Sequence, residues 1–136
     1  KRINVKWLIR MDNFRDFMYN KCLNFSVRMV KLGQYLQTEK HDFVISKQIV
    51  RSGTSIGANL AEAQYGSSLK DFLAKCYISL RESSETLYWL EILRRTELIS
   101  EEQHTSLYRD CEELKKLLVS ITATTKKKID EQNNKS

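Results

Sequence analysis

Apolar side chains recur along this chain at the spacing of helices. Between residues 13 and 37 they fall at Phe14, Met18, Cys22, Phe25, Met29, Leu32 and Leu36, in steps of three and four that trace one stripe of a long amphipathic helix. A second set, Tyr19, Leu23, Val27 and Val30, lies on nearly the opposite face of the same helix. A helix at the edge of a monomeric bundle has no use for two apolar sides, because the second would stay in water. The pattern therefore predicts that Tyr19, Leu23, Val27 and Val30 meet another subunit.

After a polar break at Thr38 to Asp42, apolar positions resume at Phe43, Val44, Ile45, Ile49, Ile56 and Leu60, and Asp42 is placed to cap this second helix by accepting from first-turn amides. Its centre is unusual. Gly53, Gly57 and Ala61 are spaced four apart and form a single ridge of minimal side chains. Each interior glycine costs a helix about 0.5–1 kcal/mol relative to alanine, so two on one face predict a neighbour packed close to the backbone. A phosphate-cradling loop is the functional rival, but no Gly-Lys-Ser/Thr follows and no strand precedes.

Gly66-Ser67-Ser68 marks the next turn, and Ser68 and Asp71 stand as Ser-x-x-Asp at the start of a third helix. That helix carries Leu69, Leu73, Cys76, Leu80, Ser83, Leu87 and Leu90 in strict 4-3 alternation, the pattern of bundle packing at small crossing angles. Tyr77, Tyr88, Trp89 and Ile92 add more apolar bulk than one face needs, and Tyr88 and Trp89 join the predicted subunit interface. Ser100 and Gln103 form a capping box for a fourth helix with Leu107, Cys111, Leu114, Leu118 and Ile121 inward. Lys126 to Lys128 suit the negative end of its dipole. Four helices with short links predict an all-α, antiparallel up-down-up-down four-helix bundle over residues 13–129, with a basic N-terminal arm (1–12) and a frayed polar tail (130–136).

Composition agrees: the chain has no proline and four glycines, too few for a fold of many tight turns. No window approaches 18 continuous apolar residues, so the reading is a cytoplasmic protein with no membrane partner. Cys22, Cys76 and Cys111 are far apart without a C-x-x-C pair and sit on apolar stripes, where a free cysteine acts as a small hydrophobe. Charge is uneven. The net charge of +6 lies wholly in residues 1–40, which hold nine basic and three acidic side chains, the distribution of a surface that meets a polyanion. Its candidate phosphate contacts are Arg10, Arg15, Lys21, Arg28 and Lys31, with Lys1, Arg2 and Lys6 as a flexible arm. Lys126 and Lys127 are expected to matter less.

Catalytic chemistry finds little support. A di-iron bundle needs two Glu-x-x-His pairs and two further carboxylates, and only Glu101 and His104 match. Neither His41 nor His104 has an arginine four to seven residues before it, so no general base is evident. Glu82, Glu85 and Glu91 alternate with Arg81, Arg94 and Arg95 as an ion-pair face. No catalytic residue, metal ligand or cofactor is assigned.

Between Lys47 and Gly66 the chain reads Lys-Gln-Ile-Val-Arg-Ser-Gly-Thr-Ser-Ile-Gly-Ala-Asn-Leu-Ala-Glu-Ala-Gln-Tyr-Gly, followed by Asp71-Phe-Leu-Ala-Lys75 and Arg81-Glu-Ser-Ser-Glu-Thr-Leu-Tyr-Trp-Leu90. With these motifs, over about residues 14 to 125, it resembles the bacterial four helix bundle proteins, also called 23S rRNA intervening-sequence proteins, whose relatives include the accessory variability determinant of diversity-generating retroelements. Many members carry Pro where this chain has Gly57. The resemblance implies a ring-shaped homopentamer without known enzymatic activity, and relatives that bind nucleic acid and a reverse transcriptase. The resulting expectation is a homo-oligomer, pentameric on the resemblance, that binds RNA or DNA through its basic surface. The alternative is a protein-interaction scaffold, such as an accessory subunit of a reverse transcriptase, that does not itself touch nucleic acid.

Overall fold

A computed structural model of the chain describes residues 5–63 and 68–135, with side chains from residue 13 onward. The described residues form four helices, α1 (Val5–Glu39), α2 (Ile45–Ala63), α3 (Leu69–Arg95) and α4 (Glu101–Asn134). Each packs on its neighbours in the chain, and α4 closes the bundle against α1 more sparsely. The predicted stripes supply the core. Met18, Cys22, Phe25, Met29, Leu32 and Leu36 of α1 are buried, with Ile49, Ile56 and Leu60 of α2, Cys76, Leu87, Leu90 and Leu93 of α3, and Leu107, Cys111, Leu114 and Leu118 of α4.

Each turn has a local cause. At the end of α1, His41 takes the left-handed conformation (φ 54°) and the Asp42 N–H donates to Leu36 O at 2.9 Å. The Asp42 carboxylate then accepts from Ser46 N at 2.8 Å while Ser46 Oγ donates to Asp42 O. This cap starts α2 at Ile45, so Phe43 and Val44, expected inside the helix, lie in the turn and are exposed. Ser68 accepts from Asp71 N at the start of α3. The α3 end is a Schellman turn: Leu98 N donates to Leu93 O at 2.9 Å and Glu97 N to Arg94 O at 3.0 Å, with Glu97 at φ 62° where glycine is usual. Half-buried Leu98 and buried Ile99 tuck onto the core behind it. The Ser100 and Gln103 capping box begins α4. The Gly66-Ser67 turn lies outside the described residues.

Two of the seams differ in chemistry. Between α1 and α2, a Cβ built on Gly53 would lie 2.4 Å from Met29 Cγ, and one on Gly57 would lie 2.9 Å from Cys22 Cβ. The glycine ridge faces α1. Gly33 answers it from the other side, where a Cβ would stand 2.5 Å from Val50 Cγ2. Between α2 and α3, small hydroxyls fill the contact: Ser79 Oγ donates to Ile56 O across the seam at 2.7 Å, and Thr86 Oγ1 lies 2.9 Å from Ser52 Oγ. The side chains of Ser52, Ser79, Ser83 and Thr86 are all buried without stranding a polar group.

Helix α1 begins at Val5 and α4 runs to Asn134, which carries the helix through the expected N-terminal arm, places Lys6 on a helix and not on a flexible arm, and makes residues 130–134 helical where fraying was expected. The reason is the absence of any proline or glycine in either stretch, since extending an existing helix gains a hydrogen bond for each residue fixed.

Unequal helix lengths shape one end of the bundle. Gly57 sits beside Cys22, so the end of α2 at Ala63 falls level with about residue 16 of antiparallel α1. Cys111 Sγ donates to Ser83 O, so the start of α3 at Leu69 falls level with Thr125. The N-terminal part of α1 and residues 126–134 of α4 therefore project past α2 and α3 by about two turns.

Candidate functional site

At the root of this overhang the four helices part around a cleft of about 780 Å³. Its floor is apolar, with Met18 and Cys22 from α1, Leu60 from α2, Phe72 from α3 and Ile121 from α4, and its rim carries Arg15, Tyr19, Lys128, Glu131 and Lys135. Over residues 5–14 and 126–135 the two projecting segments hold Lys6, Arg10, Lys126, Lys127, Lys128 and Lys135 against Asp12, Asp130 and Glu131, so the open end is basic.

The predicted phosphate contacts separate in the fold. Lys21 pairs with Glu113, and its ammonium also lies over the Phe17 ring. Arg28 pairs with Asp110 and donates to Ser106 Oγ at 2.9 Å. Both cations are held by α4 and largely neutralised. Arg15 and Lys31 are exposed and make no ion pair among the described residues, with Arg15 alone of this set on the cleft rim. Lys1 and Arg2 lie outside the described residues, as do the side chains of Lys6 and Arg10.

The predicted interface residues divide into two faces. Tyr19, Leu23, Val27 and Val30 are all more than 40% exposed. Leu23 and Val30 share a flank with Gln37 at heptad spacing, and Gln37 Nε2 reaches Ser46 Oγ of α2, so this stripe lies on the α2 side of α1. On α3, exposed Tyr77 shares a flank with Glu91, which meets His104 of α4, so it lies on the α4 side. Tyr88 is exposed at 63% on the same flank. The two faces are on opposite sides of the bundle. Trp89 is half-buried against the core and its Nε1–H donates to Glu85 Oε2 at 2.9 Å.

The titratable groups are tied into structure. Hydrogen bonds from Arg94 and Arg95 hold the Glu91 carboxyl down to about 2, against the opposing pull of desolvation. His104 Nε2 stands 3.2 Å from Glu91 Oε1, off the line a hydrogen bond requires, and its ring packs on Tyr108. Burial pushes the thiols of Cys22 and Cys76 up to about 11 and that of Cys111 to about 12. Among the described residues no three His, Cys, Asp or Glu side chains are grouped to hold a metal ion, and no helix is long and apolar enough to cross a membrane.

A family model described as 23S rRNA-intervening sequence protein matches residues 17–120. The chain belongs to this family. Similar to it is a solved structure, a protein of unknown function from the S23 ribosomal protein family of Bacteroides thetaiotaomicron, at 50% identity over 80% of this chain and 97% of that one, with a TM-score of 0.79. No curated protein matches. For this member of the 23S rRNA-intervening sequence protein family, the glycine ridge, the α1 apolar flank and the Tyr77–Tyr88 flank all lie within the matched span. Phe14, Arg15 and the α4 overhang lie outside it.

The structure thus brings Arg15, Tyr19, Gly57 and Ala61 together around the cleft and leaves Lys21, Arg28 and Lys31 along the side of the bundle. Charge counting by sequence position missed the α4 lysines, because their nearness to α1 follows from the antiparallel register of the first and last helices. Lys126-Lys127-Lys128 was the signal that could have found them.

Proposed function

We propose that this protein is a non-enzymatic homo-oligomer that binds RNA or DNA, with the basic open end of each bundle meeting phosphates. The observation that carries this reading is the joint projection of α1 and α4, which gathers Lys126, Lys127, Lys128 and Lys135 beside the N-terminal part of α1. Phosphate contacts need cations that water can reach, and counterion release then makes affinity fall steeply with salt. Lys21 and Arg28, already paired, are poorer candidates than Lys126 and Lys127 of the overhang, which reverses the ranking expected from sequence.

Two apolar flanks on opposite sides of one bundle, Leu23, Val27 and Val30 on α1 and Tyr77 and Tyr88 on α3, suit a head-to-tail contact that leaves Tyr19 to the cleft and closes into a ring when the rotation permits. Five copies is the number the resemblance implies, and a ring presents its basic ends together, so that modest contacts gain from multivalency. Light scattering is expected to give a mass several times 16.0 kDa. Leu23→Glu with Val27→Glu should dissociate the assembly while keeping its helix content, and a monomeric parent protein would overturn the assembly reading.

Nucleic-acid binding is tested by retention of labelled RNA and DNA at rising salt. The logarithm of affinity should fall by about 0.7 to 0.9 per decade of salt for each phosphate neutralised. Lys126→Glu with Lys127→Glu should lower both affinity and slope, and Lys21→Glu with Arg28→Glu should do so less. No retention at about 50 mM salt with micromolar protein would favour the scaffold reading, in which the exposed α1 and α3 flanks receive a protein partner such as a reverse transcriptase.

A further inference from the structure

Phosphate contact requires exposed cations and nothing more, yet the cations of the open end surround an apolar hollow. Its volume, about 780 Å³, lies in the range of sites that enclose a small organic ligand, about 300–1,000 Å³. Three aromatic rings line it, Phe14, Tyr19 and Phe72. Phe14 is 38% and Tyr19 49% exposed, so two rings stand open to water beside Arg15. In a duplex the faces of the bases are covered by their neighbours, and only edges and phosphates can be reached. In a single strand, a loop or an end, the faces are free to stack on aromatic side chains.

Resting on the nucleic-acid reading above, we propose that the cleft takes unstacked bases of a single-stranded nucleic acid. Phe14, Tyr19 and Phe72 offer ring surfaces to the bases, while Arg15, Lys135 and the neighbouring lysines of α4 follow the phosphates. Charge complementarity selects this occupant. An apolar helix from a second copy would bury the rings but leave the cationic rim unanswered, whereas a nucleotide strand supplies planar apolar faces and a negative backbone together. Glu131, the carboxylate on the rim, faces no such backbone favourably and fits a base amino group instead.

The test compares a short fluorescein-labelled strand, as RNA and as DNA, with the duplex of the same length by anisotropy, using inorganic polyphosphate as a competitor without bases. The single strands should bind at least about tenfold more tightly than the duplex, the discrimination expected from one or more stacked bases, and polyphosphate should compete weakly. Phe14→Leu should weaken single-strand binding by about five- to a hundredfold, the usual worth of one stacked base, with helix content and duplex binding unchanged. Phe14→Trp should restore it. Equal affinity for strand and duplex, with a steep salt dependence, would leave the phosphate reading standing and overturn this one. An unchanged affinity in Phe14→Leu would also overturn it, and failure of every nucleic acid to bind would overturn both.

Discussion

Along α2, helix α1 lies so near that Gly33, Gly53 and Gly57 have no room for a Cβ, whereas along α4 the same helix is held by the Lys21–Glu113 and Arg28–Asp110 pairs and then parts from it around the cleft. The first seam is closed by dispersion between backbone and sulfur or methyl groups, which falls away within an ångström of separation. The second relies on charges reaching across a gap, which tolerates spacing but is screened by solvent. One helix thus has a side that cannot move without loss and a side that can stay open to a ligand.

The largest effect should come from breaking the close seam. Gly57→Leu should lower stability by about 1–3 kcal/mol through overpacking, because the obstructing atom is Cys22 Cβ, fixed to its backbone. Gly53→Ala would set a Cβ 2.4 Å from Met29 Cγ in a fully buried side chain, so chemical denaturation should show a loss here too, smaller than for Gly57→Leu because only one methyl is added and helix propensity is gained. An unperturbed Gly57→Leu melt would show that the ridge does not meet α1. On the open seam, a double-mutant cycle between Arg28 and Asp110, both part-exposed, should return only about 0.2–1 kcal/mol. A coupling above that range would mean that α1 is held as firmly on its α4 side as on its α2 side.

The smallest effect is read from its loss in acid. Glu91 titrates near 2 in the fold and at about 4.3 when unfolded, so the carboxylate favours the folded state fully above about pH 4.3. Its contribution is lost as pH falls toward 2. Glu91→Gln should lower the melting temperature slightly at neutral pH, where the carboxylate contributes fully, and flatten its pH dependence in that window, so that variant and parent converge toward pH 2. An identical acid profile in parent and variant would remove Glu91 from the account.

The core was legible because helical burial has a period: the α1 stripe from Met18 to Leu36 is buried throughout. Phe14 departs from it at 38% exposed, since α1 outruns α2 at that level and the ring lines the open cleft. Ser79 and Thr86 were not read as interior positions, because a hydroxyl is at home there only when a partner such as Ile56 O or Ser52 Oγ arrives from another helix. Electrostatics was the least legible. Lys21 and Arg28 look free in the chain but find acids 92 and 82 residues away. The open end is basic because the last helix returns beside the first, a fact of register that no local pattern carries.

That same closure bears on how the molecule forms. The α1–α2, α2–α3 and α3–α4 contacts join helices adjacent in the chain, so each hairpin closes a short loop at little entropic cost. Such local topologies fold on the microsecond to millisecond scale. The α4–α1 seam alone must bring distant parts of the chain together. Mutations in the glycine ridge should therefore slow folding, while loss of the Arg28–Asp110 pair should show mainly as faster unfolding.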